Sequence, residues 1–376
     1  MLWTTERAPA TRHVVELAGL GSLTSYEVTI VASTIQGETA RSTISFTTAG
    51  APTRPAGAIH DATLLVDGAP FFPLVAWQQC GDQLASSVAA GIDLFGGSQC
   101  LALPDLFATL GGHALVAGTD GRPTVDGAGV LGWFYPDEAD LRGYTGGTLP
   151  VLPPGIRFLT ITSHFFSQAA PLASGRGIYP SLVDAADVVG FDLYPLQELC
   201  RPDTLPWVFD AQRELVALAP GKPTFQWIEV RGMRCGSGAA AVTPATIRAE
   251  SWLAVAAGAR GLAYFPPDWQ PDASAAVAGV TAQIRQLEPA LLQPILPVDV
   301  SGSAEVRASA RSLDEALYVI AVNAGYTASD VQLTFPELRD RTLLVLGSAE
   351  TLSARDGVIT DRLPPLGVRI YVAPPS

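Results

Sequence analysis

Two adjacent acidic residues follow an apolar, β-forming run. The run extends from Gly129 to Tyr135 and reaches Pro136 just before Asp137 and Glu138. A buried strand of this kind delivers an acid to the rim of a parallel barrel, and the proline marks the point where the strand gives way to a loop. Because neighbouring strand residues face opposite sides, we expect one acid to act and the other to support it. The alternative is a solvated acidic loop.

A second glutamate ends another apolar run. Glu229 follows the segment 225–228, and this run and the one before Glu138 are expected to end at the same rim. Two carboxyl groups facing each other are what glycoside hydrolysis needs: one stays protonated to donate to the leaving oxygen, and the other stays ionised. The alternative for Glu229 is a rim ion pair with Arg231 or Arg234.

The elements that would position these acids alternate along the chain between residues 58 and 290. The apolar runs are 71–77, 92–95, 113–117, 130–135, 158–162, 188–194, 224–228 and 261–265. The helix-length segments are 83–90, 103–110, 179–186, 207–218 and 244–257. Eight strands in this alternation predict an α/β fold, a (β/α)₈ barrel. The interval 140–155 is rich in Pro and Gly, so a helix is expected to be missing or reduced there.

The flanking segments change to an alternating, strand-like pattern. Residues 12–48 predict an antiparallel meander, and the C-terminal segment predicts a small β-sandwich. The predicted domains are 1–50 (β module), 51–57 (linker), 58–295 (catalytic barrel) and 296–376 (β-sandwich).

The first of these segments resembles part of a known module. Residues 17–28, closing with 46–49, resemble the second half of a fibronectin type III domain, with Tyr26 at the position of its tyrosine corner. The first strands of that family have no counterpart, so a partial module is expected.

The other predicted strands deliver further polar and aromatic side chains to the same rim. With Asp137, the predicted substrate-binding residues are Trp77, His164, Asp192, Tyr194, Trp227 and Trp269. Sugar rings stack on aromatic faces, although such aromatics also cap barrel cores. Asp192 is either a supporting carboxylate or a ligand to sugar hydroxyls. His164 is either a sugar contact or a satisfied rim histidine.

An acid after strand 4, a glutamate after strand 7 and an aromatic after strand 8 resemble the clan A retaining glycoside hydrolases. The runs 190–195 and 248–265 are similar to such barrels as well. The resemblance implies that Glu138 is the acid/base, that Glu229 is the nucleophile and receives a hydrogen bond from Tyr194, and that Trp269 forms the floor of a subsite.

Two departures from that family keep alternatives open. The family has Asn before the acid/base, where this chain has Asp137. The family also has an arginine near the end of strand 2, and the corresponding segment 95–98 of this chain contains none. One alternative is an inactive barrel that acts as a carbohydrate-binding or scaffold protein. Another is an inverting or substrate-assisted hydrolase that uses Asp137 or Asp192.

Charge and composition restrict the partners. The chain has 36 acidic and 23 basic residues, a net charge of −13, so nucleic acid is not an expected partner. No apolar run approaches the roughly 18 residues of a membrane span. Without CxxC pairs, a P-loop or a dinucleotide fingerprint, neither metal nor cofactor is expected. The expected partner is a carbohydrate substrate; the oligomeric state is left open, with a monomer as the working expectation.

The four cysteines fit the barrel map in pairs. Cys80 and Cys100 follow strands 1 and 2, and Cys200 and Cys235 follow strands 6 and 7. Adjacent loops on one rim make the disulfides Cys80–Cys100 and Cys200–Cys235 reasonable. Disulfides predict a secreted, extracellular protein, whereas free thiols would indicate the cytosol.

Overall fold

The structure is a computed structural model that describes residues 24–33, 39–47, 55–79, 83–97, 115–119, 129–235, 241–266 and 268–375. The chain divides into two compact units, Met1–Thr53 and Arg54–Ser376. The predicted barrel and β-sandwich both fall in the second unit, and the finer domain boundaries stay predictions.

The described part of the first unit is an antiparallel pair of strands, β1 (Ser25–Ser33) and β2 (Thr39–Thr47). The ring of Tyr26 stacks on Phe46 with centroids 5.9 Å apart. The remaining strands of the predicted meander lie outside the described residues. The fibronectin-like module and the tyrosine corner therefore stay predictions.

Eight parallel strands close into a barrel, which confirms the predicted fold class. They are β6 (Leu74–Trp77), β7 (Leu94–Gly96), β8 (Leu115–Thr119), β9 (Val130–Phe134), β10 (Ile156–Thr162), β11 (Val188–Asp192), β12 (Thr224–Ile228) and β13 (Leu262–Tyr264). Each pairs with its sequence neighbours, and β13 pairs with β6 to close the cylinder. All eight predicted runs are therefore barrel strands.

Helices cover the outside of the barrel. They are α1 (Gln83–Ala89), α2 (Tyr179–Ala185), α3 (Trp207–Leu218), α4 (Pro244–Ala257) and α5 (Pro271–Leu291). Single 3₁₀ turns occur at Ser163–Phe165, Arg176–Ile178, Pro202–Thr204 and Pro336–Leu338. The segment between β9 and β10 contains turns and no helix, as its Pro and Gly content predicts.

One predicted helix is untested, and one described helix differs from the sequence interpretation. The predicted helix 103–110 lies outside the described residues. The longest described helix, α5, was not predicted, because the alanine-rich segment 273–279 makes its apolar face hard to distinguish. No helix in the described part of the chain is both long and apolar enough to cross a membrane.

The barrel interior is filled mainly by large side chains. Alternate residues of one strand point inward, so Phe225 and Trp227 pack in the interior cluster with Phe134 and Phe158. The Phe134 and Phe158 rings lie 5.0 Å apart and those of Phe225 and Trp227 5.9 Å apart. The interior is therefore a packed core that leaves open space only at an end of the barrel.

Three short antiparallel strands precede the barrel and pack against its interior cluster. They are β3 (Gly57–His60), β4 (Thr63–Val66) and β5 (Ala69–Phe71). Leu64 is fully buried and belongs to the same cluster as Leu131 and Ile156. Because these strands lead directly into the start of β6, they cover the amino-terminal end and leave the carboxyl ends of the strands for the site.

The C-terminal segment forms a sandwich of a six-stranded and a three-stranded antiparallel sheet, as predicted. Its strands are β14 (Leu296–Pro297), β15 (Asp299–Ser301), β16 (Val306–Leu313), β17 (Ala316–Asn323), β18 (Ser329–Thr334), β19 (Thr342–Val345), β20 (Thr351–Ser353), β21 (Val358–Leu363) and β22 (Val368–Ala373). The Arg311 guanidinium, 1% exposed, donates to the Val255 carbonyl at the end of α4. This contact ties the sandwich to the barrel.

Gly132 is required where β9 crosses close to β10. A Cβ atom at Gly132 would overlap the backbone carbonyl of Ile156, whereas one at the exposed Gly147 meets nothing. We expect Gly132→Ala to lower the free energy of unfolding by about 3 kcal/mol or more and Gly147→Ala to leave it nearly unchanged. Urea titration followed by circular dichroism measures both, and equal stability of the two variants would contradict the packing of β9 on β10.

Candidate active site

A cavity of about 180 Å³ opens at the carboxyl ends of the barrel strands. This is the end at which barrel enzymes hold their active sites. The described residues that line it come from the ends of β6, β9, β11, β12 and β13: Trp77, Asp137, Glu138, Asp192, Tyr194, Gln197, Glu198, Trp227, Met233, Arg234 and Phe265. Six of the predicted site residues are therefore brought together: Trp77, Asp137, Glu138, Asp192, Tyr194 and Trp227.

Both acids that follow β9 line the cavity, which corrects the expectation that they face opposite sides. Strand β9 ends at Phe134, so strand alternation no longer applies to the turn that carries Asp137 and Glu138. Glu138 has a left-handed backbone with φ of 48°. In a residue with a Cβ atom this conformation costs roughly 1–2 kcal/mol, and such strain accumulates at functional sites.

A buried carboxylate two residues later holds this turn in place. Asp140 is 2% exposed, and its oxygens accept the Thr162 backbone N–H at 2.9 Å, the Thr162 hydroxyl at 2.6 Å and the Tyr179 hydroxyl at 3.0 Å. These bonds connect the turn to the end of β10 and to α2. Because Asp140 is fixed, the cavity-lining carboxyls that precede it are held at the mouth of the barrel.

The carboxyl group of Asp192, the last residue of β11, lines the cavity beside that of Glu138. Asp192 is 9% exposed. Burial raises its pKa well above the ordinary value, and the nearby carboxyl groups of Glu138, Asp137 and Glu198 raise it further. Burial and neighbouring negative charge therefore favour the protonated form of Asp192.

Glu198 is the fourth carboxyl residue of the cavity lining, with Asp137, Glu138 and Asp192. Partial burial and the charge of Glu138 raise its pKa, while Arg234 and His164 lower it. Arg234 lines the cavity with Glu198. His164 lies behind them on the turn after β10, where its Nδ1 is 2.6 Å from the Ala170 carbonyl. It is not among the described lining residues, and sugar contact stays a prediction for it.

Aromatic rings provide the apolar part of the cavity. The rings of Trp77 and Trp227 meet edge to face with centroids 5.5 Å apart, and the Trp227 indole N–H donates to the Thr160 hydroxyl. The phenol of Tyr194 lies within the field of Asp192 and Glu229, and burial and these charges raise its pKa. Rings beside carboxyl groups suit a ligand with both apolar faces and hydroxyl groups.

Glu229 follows β12, as predicted, but it lies behind the cavity lining. It is 2% exposed, and its two carboxyl oxygens accept the backbone N–H groups of Leu196 at 2.9 Å and Gln197 at 2.8 Å. Burial raises its pKa to about 7 against the lowering effect of these two hydrogen bonds. The nucleophile assignment stays a prediction, and these bonds give Glu229 a second, structural candidate function.

Trp269 is tied to the helix layer. Its indole N–H donates to the Ser87 hydroxyl of α1 at 2.8 Å, and Ser87 in turn donates to the Gln79 side chain. Trp269 is not among the described residues that line the cavity, so the subsite floor stays a prediction for it.

The structure adds lining residues that the sequence interpretation missed: Gln197, Glu198, Met233, Arg234 and Phe265. Four of them lie in irregular loops, where no periodicity indicates which side chains face inward. Gln197 and Glu198 lie in the loop after β11, and Met233 and Arg234 lie in the loop after β12. The predicted disulfide Cys200–Cys235 joins these two loops with a Cα–Cα distance of 5.5 Å. This pairing was the signal in the sequence that could have identified the two loops as part of the cavity. Cys80 and Cys100 lie outside the described residues.

Comparisons with known proteins support the fold. No protein-family model and no curated protein matches this sequence. Among solved structures, it is similar to α-galactosidase I from Mortierella vinacea, with a TM-score of 0.53 and 11% identity over 81% of this chain and 97% of that one. It is also similar to a maltogenic α-amylase from Thermotoga neapolitana, with a TM-score of 0.52 and 7% identity over 80% and 98% of the two chains. The chain has the fold of these barrels.

The described part of the chain contains no group of three or more His, Cys, Asp or Glu side chains arranged to hold a metal ion. The cavity instead offers carboxyl groups, one arginine and aromatic rings. This set is suited to proton transfer and to the binding of a polar, ring-shaped ligand.

The raised pKa of Asp192 makes stability depend on pH. The folded protein holds this proton more tightly than the unfolded chain, so the stabilisation is complete at acidic pH and is lost as the pH rises through the folded-state pKa. We expect Asp192→Asn to make the fall in Tm between pH 4 and pH 8 shallower. Asp268→Asn, at an exposed rim carboxyl, should keep the wild-type slope. Thermal unfolding across this range measures the difference, and identical slopes in all three proteins would argue against the buried pair.

Proposed function

We propose that this protein is a retaining glycoside hydrolase that cleaves a β-linked glycan or glycoside. The observation that carries the proposal is the pair of carboxyl groups, Glu138 and Asp192, that line one cavity beside aromatic rings at the carboxyl end of a closed barrel. The expected substrate is a neutral sugar, because an anionic one would be repelled by the four carboxyl groups of the cavity.

In this mechanism Glu138 is the acid/base that protonates the leaving oxygen, as the sequence resemblance implies. Because burial raises the pKa of Asp192, this carboxyl must first pass its proton to Glu138. The ionised Asp192 then attacks the anomeric carbon as the leaving oxygen departs, and water hydrolyses the glycosyl-enzyme intermediate. The geometry favours Asp192 as this nucleophile over Glu229, because Asp192 lines the cavity and Glu229 is covered by the 194–198 loop.

The remaining cavity residues would bind the sugar. Trp77 and Trp227 offer faces for its apolar side, and Asp137 and Glu198 offer acceptors for its hydroxyl groups. Because these acceptors flank the reacting pair, they also raise the pKa of Asp192. The anomeric configuration rests on the sequence resemblance, so both configurations belong in the test.

The disulfide between Cys200 and Cys235 supports a secreted, extracellular location, since such bonds persist in oxidising compartments. It also braces two of the loops that line the cavity.

Glu138→Gln and Asp192→Asn should each lower kcat/KM by about 10³-fold or more, because each removes a group that transfers a proton or attacks the substrate. Asp268→Asn serves as the rim-carboxyl control and should keep wild-type activity. The measurement is hydrolysis of a panel of α- and β-linked aryl glycosides, with the first-formed anomer identified by ¹H NMR.

Full activity in both carboxyl variants would contradict the proposal, and inversion at the anomeric carbon would replace the retaining mechanism with an inverting one. Sugar binding without turnover of any glycoside would instead favour the carbohydrate-binding alternative.

A further inference from the structure

One side of the cavity consists of two loops that are joined at several points. We call the segments 194–200 after β11 and 229–235 after β12 the clamped wall. The Gln197 side-chain oxygen accepts the Met233 N–H at 2.6 Å, and its backbone carbonyl accepts the Arg234 N–H at 3.2 Å. The disulfide Cys200–Cys235 closes the far end. The wall presents Glu198, Met233 and Arg234 to the ligand space.

The near end of the clamped wall is closed by Glu229. Its Oε1 accepts the Leu196 N–H and its Oε2 accepts the Gln197 N–H, so both oxygens bind consecutive amides of the opposite loop. Hydrogen bonds to an ionised acceptor are about twice as strong as neutral ones. A nucleophile must face the anomeric carbon, whereas Glu229 is 2% exposed and is not among the described residues that line the cavity.

We propose that Glu229 is a positioning residue, whose carboxylate holds Leu196 and Gln197 and thereby fixes the clamped wall against the bound sugar. It acts on the reaction through Gln197 and Glu198 rather than by touching the reacting atoms. The activity readouts rest on the proposed function, while the exchange readout below is independent of it.

Several titratable groups face Glu229. Tyr194 and Glu198 face it from the wall, Glu250 from α4, and Tyr326 from the segment between β17 and β18. Glu250 accepts the Glu229 backbone N–H at 3.3 Å and is 1% exposed. Burial and the charge of Glu229 raise the pKa of Glu250, which favours its neutral form.

Glu229→Gln tests the proposal, with Glu250→Gln as the matched control from the same buried pair. The glutamine at 229 keeps one acceptor and turns an NH₂ group toward an amide, so KM should rise about tenfold, with a smaller fall in kcat. The glutamine at 250 keeps an acceptor for the Glu229 backbone N–H and should keep the wild-type KM. Similar losses in both variants would overturn the proposal.

Chemical rescue separates positioning from nucleophilic attack. If Glu229 were the nucleophile, Glu229→Ala would lose nearly all turnover, and azide would restore it by attacking the anomeric carbon of an aryl glycoside and expelling the aryloxide to give a glycosyl azide. We expect no glycosyl azide from Glu229→Ala. Its formation would overturn the proposal.

Hydrogen exchange tests the clamp without any substrate. In peptides that span 194–200, protection corrected for intrinsic exchange should fall about tenfold in Glu229→Gln and stay unchanged in Glu250→Gln. Unchanged protection in Glu229→Gln would overturn the proposal even if glycosidase activity were found, and loss of protection would sustain it even if none were.

Discussion

The proximity of the carboxyl groups of Glu138 and Asp192 depends on the closure of the barrel. The two residues are far apart in sequence and leave the cylinder at β9 and β11, which are separated only by β10. Parallel strands end at one rim, so closure forces their terminal side chains toward a common mouth. In water the two carboxylates would repel each other and separate. Here Asp192 is fixed at the end of a buried strand and Asp140 holds the turn of Glu138 in place, so the two carboxyl groups stay together at the mouth of the barrel.

The buried acids around the mouth divide into two kinds by their hydrogen-bond partners. Asp140 and Glu229 accept several donors from the protein itself, and this satisfies their charge within the fold. Asp192 and Glu138 instead lie beside each other and face the open cavity. A carboxyl that is not satisfied by the fold is available to a ligand, which is why the proposed chemistry is assigned to the second kind and the support of loops to the first.

Much of the architecture was predictable from local pattern. Runs such as 130–135 and 224–228 are apolar throughout, which is typical of strands buried on both faces, and the turn-rich interval after Glu138 correctly predicted the absence of a helix. The helix Pro271–Leu291 was missed because its alanines blur the apolar face. The loop residues Glu198 and Arg234 were missed because irregular backbone has no period from which a facing direction can be read.

The sequence by itself determined that the chain forms a closed α/β barrel, and that Asp137, Glu138, Asp192 and Glu229 follow or end its strands, because strand periodicity and strand ends are local properties. Only the tertiary structure decided what each acid contacts. Glu229 meets the amides of Leu196 and Gln197 because the loop after β11 folds back across the end of β12. That placement depends on the disulfide, on Gln197 and on the packing of α4, which join residues distant in sequence, so no local pattern encodes it.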